Sequence, residues 1–150
     1  MLALGLVFYL LVYTIWLKRI SPWSVVIGGC AGCFAALAGW TAAINTVSLA
    51  PLLVAALGFL WTPGHLWGLA IKKTEEYKSA GVPMLPVKVG LNKAAQAVFL
   101  LNAVTVASSF LLPFFGLTGA VFLGVAIISG AGFFFQNRSL LISASEPYGF

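Results

Sequence analysis

Charged side chains are scarce in this chain: they make up 7% of its 150 residues, and only three of them are acidic. Hydrophobic residues account for 61%, and the mean hydropathy is +1.06. A soluble domain needs far more charge on its surface, so this composition excludes one. With one histidine and two cysteines, the chain also offers few ligands for a zinc site.

Long apolar runs take the place of charge. Five of them approach the ~20 residues that cross the hydrocarbon core of a bilayer, at about residues 1–17, 23–43, 49–71, 94–114 and 119–136. None alternates as barrel strands do, and such runs satisfy their backbone groups in lipid only as helices. We therefore expect an all-α fold, a single membrane domain over residues 1–150 with about five transmembrane helices. The first run has no positively charged region before it and no small-residue cleavage site, which predicts a retained helix instead of a signal peptide.

The basic residues predict the orientation of this bundle. All eight follow the first, third or fifth run, and the two other connections carry no charge: Lys18, Arg19, Lys72, Lys73, Lys78, Lys88, Lys93 and Arg138. By the positive-inside rule, the charged connections and the C-terminus are cytoplasmic, in the cell (inner) membrane. Positive charge placed beside a membrane argues against a nucleic-acid partner.

Cys30 and Cys33 form a C-x-x-C pattern inside the second run. A redox or zinc site there would need further ligands or an exposed turn, so packing of small residues between helices is the favoured interpretation. Glycines in the second and fifth runs agree, because they let neighbouring helices approach closely: Gly28, Gly29, Gly32, Gly39, Gly124, Gly130 and Gly132.

The third run ends in polar residues at helical spacing. These residues would share one face if the helix continues past the membrane: Trp61, His65, Lys72 and Glu76. Ionisable groups are costly in a bilayer and mark functional sites there. The alternatives are a histidine hydrogen-bonded within the bundle and, for Lys72 with Lys73, a stop-transfer signal only.

Two cations after the first run extend this polar end. Lys18 and Arg19 would lie on the same side of the membrane as Glu76. Two cations and a carboxylate suit a diphosphate held partly by Lys and Arg and partly through Mg²⁺. The alternatives are a topogenic signal for the basic pair and surface ion pairs for Glu75 and Glu76.

An apolar segment with two prolines, residues 82–87, follows the acidic pair. A turn signal at residues 79–81 separates the two. A rigid apolar segment beside charged groups predicts a lid over the polar end, in preference to a linker.

Three stretches resemble the protoheme IX farnesyltransferases (heme O synthases), a family of the UbiA-type intramembrane aromatic prenyltransferases. They are YTIWLKRISPWSVVIGGCAGCFAALAGW at residues 13–40, WTPGHLWGLAI at 61–71 and EEYKSAGVPMLPVKVG at 75–90. The resemblance covers nearly the whole chain, and AGVPMLPV after a helix bearing W-x-P-x-H is its most specific part. Quinone-type relatives carry a second aspartate-rich motif at that place.

The resemblance implies a fold of nine helices around a central cavity, of which the five runs match the fourth to the eighth. It implies an enzyme of the lipid bilayer that transfers a farnesyl group from farnesyl diphosphate to a vinyl group of protoheme IX, with water adding a hydroxyl. In that family two acidic segments on cytoplasmic loops bind Mg²⁺ and the prenyl diphosphate. Mg²⁺ is therefore the implied cofactor.

The same resemblance assigns roles at the end of the first run. Tyr13, Thr14, Lys18 and Arg19 match the Y-T-x-x-L-K-R motif of the family. Lys18 and Arg19 are its implied catalytic residues, with Tyr13 and Thr14 binding substrate. Their implied partner is the diphosphate or the heme carboxylates.

Further roles are implied around the third run. His65 matches the histidine of W-x-P-x-H and would face the heme, either as an axial ligand or as a hydrogen-bond partner, with Trp61 and Lys72 also binding substrate. Glu76 occupies the place of the aspartate in D-Y-x-x-A-G-V-P, which implies a catalytic role and a Mg²⁺ contact through the diphosphate. Tyr77 matches the tyrosine of that motif and would bind substrate.

Several departures from the family pattern qualify these roles. Glu76 has one methylene more than aspartate, Leu66 replaces an aromatic residue, and Gly64 loosens the turn before His65. The first acidic motif, N-x-x-x-D-x-x-x-D, is absent, and three acidic residues, one of them Glu146, cannot supply two metal-binding segments. We expect the C-terminal half of such an enzyme, lacking the N-terminal half and the last helix, and inactive without an N-terminal half-chain as partner.

Two other functions compete with this interpretation. One is a prenyltransferase with another aromatic acceptor, such as a quinone precursor, against which AGVPMLPV argues. The other is a non-catalytic membrane module or degenerate paralogue, which the departures favour and the retained Lys18, Arg19 and His65 oppose. A transporter is disfavoured because no internal repeat pairs two broken helices.

Overall fold

The computed structural model describes the backbone of residues 2–145 and the side chains of residues 2–142. This part of the chain is helical and contains no β-strand. Five helices are long and apolar enough to cross a membrane: Leu2–Arg19, Ser24–Ile44, Leu49–Lys72, Leu91–Phe114 and Ala120–Ile142. The predicted all-α bundle of an integral membrane protein is confirmed.

The helices are numbered here in chain order. They are α1 (Leu2–Arg19), α2 (Ser24–Ile44), α3 (Leu49–Lys72), α4 (Thr74–Ser79), α5 (Leu85–Val89), α6 (Leu91–Ser109), α7 (Leu111–Phe114) and α8 (Ala120–Ser145). α1 widens to π-helical hydrogen bonding between Phe8 and Trp16. Gly90 has a φ of 85°, a conformation that favours glycine, and it turns the chain from α5 into α6.

α3 ends one residue after the predicted third run and does not continue as far as Glu76. It continues through Pro63 and ends at Lys72, where Lys73 adopts φ −120° and ψ 28° before α4 begins. The hydroxyl of Thr74 donates to the Ala70 and Ile71 carbonyls at 3.1 and 2.8 Å, which satisfies acceptors left free at the helix end. The expectation that Glu76 shares a helix face with His65 is therefore wrong, because the break places it on α4.

The buried core lies where α3 meets α5 and α6. Its members come from four parts of the chain: Val25, Trp67, Ala70, Ile71, Met84, Leu85, Ala94, Ala95 and Val98. The segment predicted as a lid contributes to this core, since Pro83, Met84, Leu85 and Pro86 are all buried. It is therefore packed onto one end of the bundle and is no loose linker.

The long helices pack side by side in a row. α1 packs on α2, α2 on α3, α3 on α6, and α6 on α8. Within residues 2–145, the two ends of the row, α1 and α8, share no extensive interface. Many large apolar side chains remain exposed, as expected where lipid or further helices surround the bundle.

Some of the predicted packing glycines allow close approach. A Cβ on Gly28 would lie 2.6 Å from the Tyr13 ring of α1, and one on Gly29 would lie 3.4 Å from Thr62 of α3. A Cβ on Gly130 would lie 2.9 Å from a methyl group of Val106 on α6. At four other glycines a Cβ would have no atom of the described residues within 4 Å, so these glycines do not bring helices of this chain together: Gly32, Gly39, Gly124 and Gly132.

The two cysteines lie where α2 packs on α3. Both are free thiols, and the Cys33 thiol donates to the Ala55 carbonyl of α3 at 3.3 Å. No group of three metal-binding side chains occurs in the described range. This arrangement agrees with the packing interpretation of the C-x-x-C pattern.

The last helix is longer than its apolar run. α8 continues past Gln136 to Ser145, so Arg138 lies within the helix and does not follow it. The predicted boundary near Gln136 is therefore wrong. Glu146 lies outside the described residues.

Candidate functional site

One face of α3 is left uncovered by its neighbours α2 and α6. It carries Trp61, His65, Leu69 and Lys72, all of which are exposed. The Trp61 and His65 rings stack with centroids 4.5 Å apart and planes 17° from parallel. The predicted ladder therefore extends from Trp61 to Lys72, and the indole restricts the orientation of the imidazole.

A cavity of about 490 Å³ lies beside this face, between α3, α6 and α8. Lys72, His65, Gln136 and Ser139 provide much of its polar lining. Among the described residues, none that lines it is acidic. Its size falls within the roughly 300–1,000 Å³ of small-molecule sites.

Two buried amides close the inner wall of this cavity. The Asn102 amide of α6 donates to the Asn137 amide oxygen of α8 at 2.9 Å, and Asn137 donates to the Phe133 carbonyl at 2.7 Å. Both amides also line a second cavity of about 330 Å³, otherwise lined by apolar residues of α6 and α8. The amide pair therefore lies between a polar cavity and an apolar one.

Gly64 explains how α6 comes this close to α3. A Cβ at Gly64 would collide with the Asn102 amide oxygen, so a larger residue would require the Asn102 side chain to shift. One turn further on, a Cβ at Gly68 would meet Val98 at 3.8 Å, an ordinary contact. Gly64 therefore allows α6 to approach α3 next to His65.

The residues predicted at the end of α1 do not line the cavity. The Lys18 ammonium lies 6.0 Å from the centre of the Tyr13 ring, within cation–π range. The Thr14 hydroxyl donates to the Tyr9 carbonyl at 2.8 Å, and Arg19 is exposed. This end of α1 forms a separate basic position.

α4 carries the acidic pair in exposed ion pairs. A Glu76 carboxylate oxygen lies 3.2 Å from the Lys73 ammonium, and Glu75 lies 3.8 Å from that of Lys78. Tyr77 packs against the core. The described residues contain no group of three metal-binding side chains.

The structure thus joins some predicted residues and separates others. It places His65 and Lys72 on one cavity and Tyr13 beside Lys18. Within the described chain, no hydrogen bond or ion pair joins Lys18 or Arg19 to Glu76.

Four polar cavity residues are absent from the sequence-based prediction: Asn102, Gln136, Asn137 and Ser139. A search for charge overlooks them because all four are neutral. Their signal is a polar side chain inside or beside an apolar run, which points to interhelical hydrogen bonds or a lined cavity.

A family comparison accounts for this combination of apolar bundle and charged end. The chain matches the model of the UbiA prenyltransferase family over residues 1–146. It belongs to the UbiA prenyltransferase family. No solved structure matches the chain significantly.

Individual relatives carry a more specific name. The protoheme IX farnesyltransferase of Parvibaculum lavamentivorans is 41% identical over 133 residues, which cover 89% of this chain and 42% of the relative. Protoheme IX farnesyltransferase 2 of Paramagnetospirillum magneticum is 43% identical over 138 residues, which cover 92% of this chain and 48% of the relative. The protoheme IX farnesyltransferase of Rhizorhabdus wittichii is 46% identical over 130 residues, which cover 85% of this chain and 43% of the relative. The resemblance to the protoheme IX farnesyltransferases is confirmed. This member of the UbiA family spans less than half the length of these relatives.

Proposed function

We propose that this chain supplies the C-terminal half of an intramembrane enzyme that transfers a farnesyl group from farnesyl diphosphate to a vinyl group of protoheme IX. The observation that carries the proposal is its similarity, over most of its length, to proteins named protoheme IX farnesyltransferase. The cavity beside His65 and Lys72 supports it, because it places polar groups next to apolar space inside a membrane bundle.

In the proposed reaction, the bond from the allylic carbon to the diphosphate oxygen breaks, and its electron pair leaves with the diphosphate. The allylic carbon bonds to the terminal vinyl carbon, and water adds to the cation left beside the porphyrin ring and releases a proton. Lys18 and Arg19 would stabilise the leaving diphosphate, since cations fixed near developing negative charge lower the barrier. Tyr13 and Thr14 would border it.

The acceptor is assigned to the exposed face of α3. His65 would face the protoheme, as an axial ligand or a hydrogen-bond partner, with its ring held by the stack on Trp61. Lys72 and Tyr77 complete the proposed substrate-binding set. Apolar and aromatic walls around such a site would shield the allylic cation from water.

The remaining ligands of the donor would come from another part of the enzyme. Glu76 is proposed as one Mg²⁺ contact, through the diphosphate, and further carboxylates would be contributed by an N-terminal half-chain. Residues 1–150 would then form half of one membrane domain and be inactive alone. The charged connections and the C-terminus would face the cytoplasm from the cell membrane, as the basic residues predict.

Complementation tests this proposal. The chain would be reconstituted in nanodiscs with the N-terminal half of the Paramagnetospirillum magneticum relative, and supplied with farnesyl diphosphate, Mg²⁺ and protoheme IX. We expect a farnesylated, hydroxylated heme by mass spectrometry from the pair and none from either half. Product from this chain alone, or no product when the relative's own two halves are active, contradicts the proposal.

A non-catalytic membrane module is the second candidate, and the ion pair between Glu76 and Lys73 favours it. It predicts a stable complex with the N-terminal half but no transfer to any acceptor. A prenyltransferase with another aromatic acceptor would instead yield a prenylated product of different mass.

A further inference from the structure

Lys72 differs from the lysines that follow it. Lys73 and Lys78 form ion pairs with the two acidic residues of the described chain, Glu76 and Glu75. Lys72 has no acidic partner in that range and lines the 490 Å³ cavity. Its positive charge therefore faces a cavity to which the described residues contribute no negative charge.

The wall opposite Lys72 offers neutral hydrogen-bonding groups. Gln136 and Ser139 of α8 line the same cavity, and neither side chain has a hydrogen-bond partner among the residues described. The buried amides of Asn102 and Asn137 are by contrast bonded to each other. Besides the His65 ring, the polar side chains of the cavity without a partner among the described residues are one cation, one amide and one hydroxyl, a set that suits an anion.

The remaining lining residues indicate which kind of ligand body the cavity would hold. Leu69, Val98, Phe133 and Leu140 give the cavity apolar surface, and the His65 ring, stacked on Trp61, provides a flat edge. An anionic group attached to a flat apolar body fits this combination.

We propose that this cavity holds the carboxylates of the porphyrin acceptor, with Lys72 as the ionic partner and Gln136 and Ser139 as hydrogen-bond donors. This inference rests on the proposed function and assigns the acceptor to the wall formed by α3 and α8. Lys18 and Arg19, which do not line the cavity, are left for the diphosphate of the donor. Two anionic groups are thereby kept at separate cationic positions.

A matched ligand pair tests the assignment directly. The chain in nanodiscs would be titrated with metal-free protoporphyrin IX and with its dimethyl ester, which removes the negative charges and excludes axial ligation by His65. We expect the free acid to bind about tenfold more tightly, the effect of one hydrogen-bonded charge. Lys72→Gln should remove most of this difference and leave binding of the ester unchanged.

Lys88→Gln is the control variant, since it makes the same charge change at an exposed position outside the cavity. Gln136→Leu and Ser139→Ala should each weaken binding of the free acid only, by a few fold. Equal affinity for both ligands, no binding of either, or the same loss in Lys88→Gln overturns the inference. So does displacement of the porphyrin by inorganic diphosphate in the wild type but not in Lys72→Gln, which would assign the cavity to the donor.

Failure of this inference differs from failure of the proposed function. Farnesyl transfer in the complemented enzyme with porphyrin binding insensitive to Lys72 overturns the inference alone. Binding that depends on Lys72 without any transfer contradicts the function instead.

Discussion

Asn102 and Asn137 form a hydrogen bond of 2.9 Å between α6 and α8, and both side chains are more than nine-tenths buried. The same Asn102 amide contacts α3 at Gly64, one residue before His65. Three helices that surround the polar cavity therefore meet at one amide. Loss of this amide should lower the free energy of unfolding and change the position of the cavity wall.

Asn137→Ala leaves the Asn102 amide buried without its acceptor. We therefore expect the free energy of unfolding in mixed micelles to fall by about 1–2 kcal/mol. Interhelical hydrogen bonds in membranes average about 0.6 kcal/mol, and we expect a larger loss here because the Asn102 amide is left buried without its acceptor. The double variant with Asn102→Ala should lose less than the sum of the single variants. Additive losses would show that the two amides act independently. Asn92→Ala, which removes an exposed amide bonded to Gln96 on α6, is the control and should change little.

Gly64→Ala should separate α3 from α6, because the new methyl group collides with the Asn102 amide oxygen. We expect a loss of about 1–3 kcal/mol in unfolding free energy, the usual cost of overpacking. Gly58→Ala is a matched control on the same helix, since a Cβ there has no atom within 4 Å. It should be neutral or stabilising by up to about 1 kcal/mol, because alanine favours helix over glycine. Equal effects of the two substitutions would contradict the close contact at Gly64.

Glu76→Gln should raise the Mg²⁺ concentration that half-saturates farnesyl transfer by the complemented enzyme, because one carboxylate contact to the metal–diphosphate is lost. Glu75→Gln makes the same change one residue away, in an exposed pair with Lys78, and should leave the Mg²⁺ requirement unaltered. An identical response of the two variants would show that Glu76 serves only in its surface pair with Lys73. Neither variant should alter folding, since exposed ion pairs contribute little.

Residue type and spacing predicted part of the cavity lining, and the differences from the prediction have identifiable causes. His65 and Lys72 line one cavity because four- and seven-residue spacings return to the same face of a continuous helix. Glu76 departs from that face because the helix breaks at Lys73, a residue with no strong helix-ending signal of its own. The roles of Asn102 and Asn137 depend on which helices become neighbours, and periodicity within one helix does not report this.

The glycines show the same division. Gly28 and Gly32 are equivalent as a sequence pattern, yet only Gly28 lies against another helix, at the Tyr13 ring. Which glycine is used depends on how α1 crosses α2, and that angle follows from the packing of both helices together.

The sequence by itself determined the membrane bundle, its five spans and the concentration of charge at one end, because lipid accepts only helices whose backbone groups are bonded within the segment. Tertiary structure decided which polar groups share a cavity: it placed Lys72 opposite α8, paired Glu76 with Lys73 and left Lys18 outside. The physical reason is that hydropathy and spacing act along one helix, whereas a cavity is formed by side chains of several helices whose contacts are long-range in sequence.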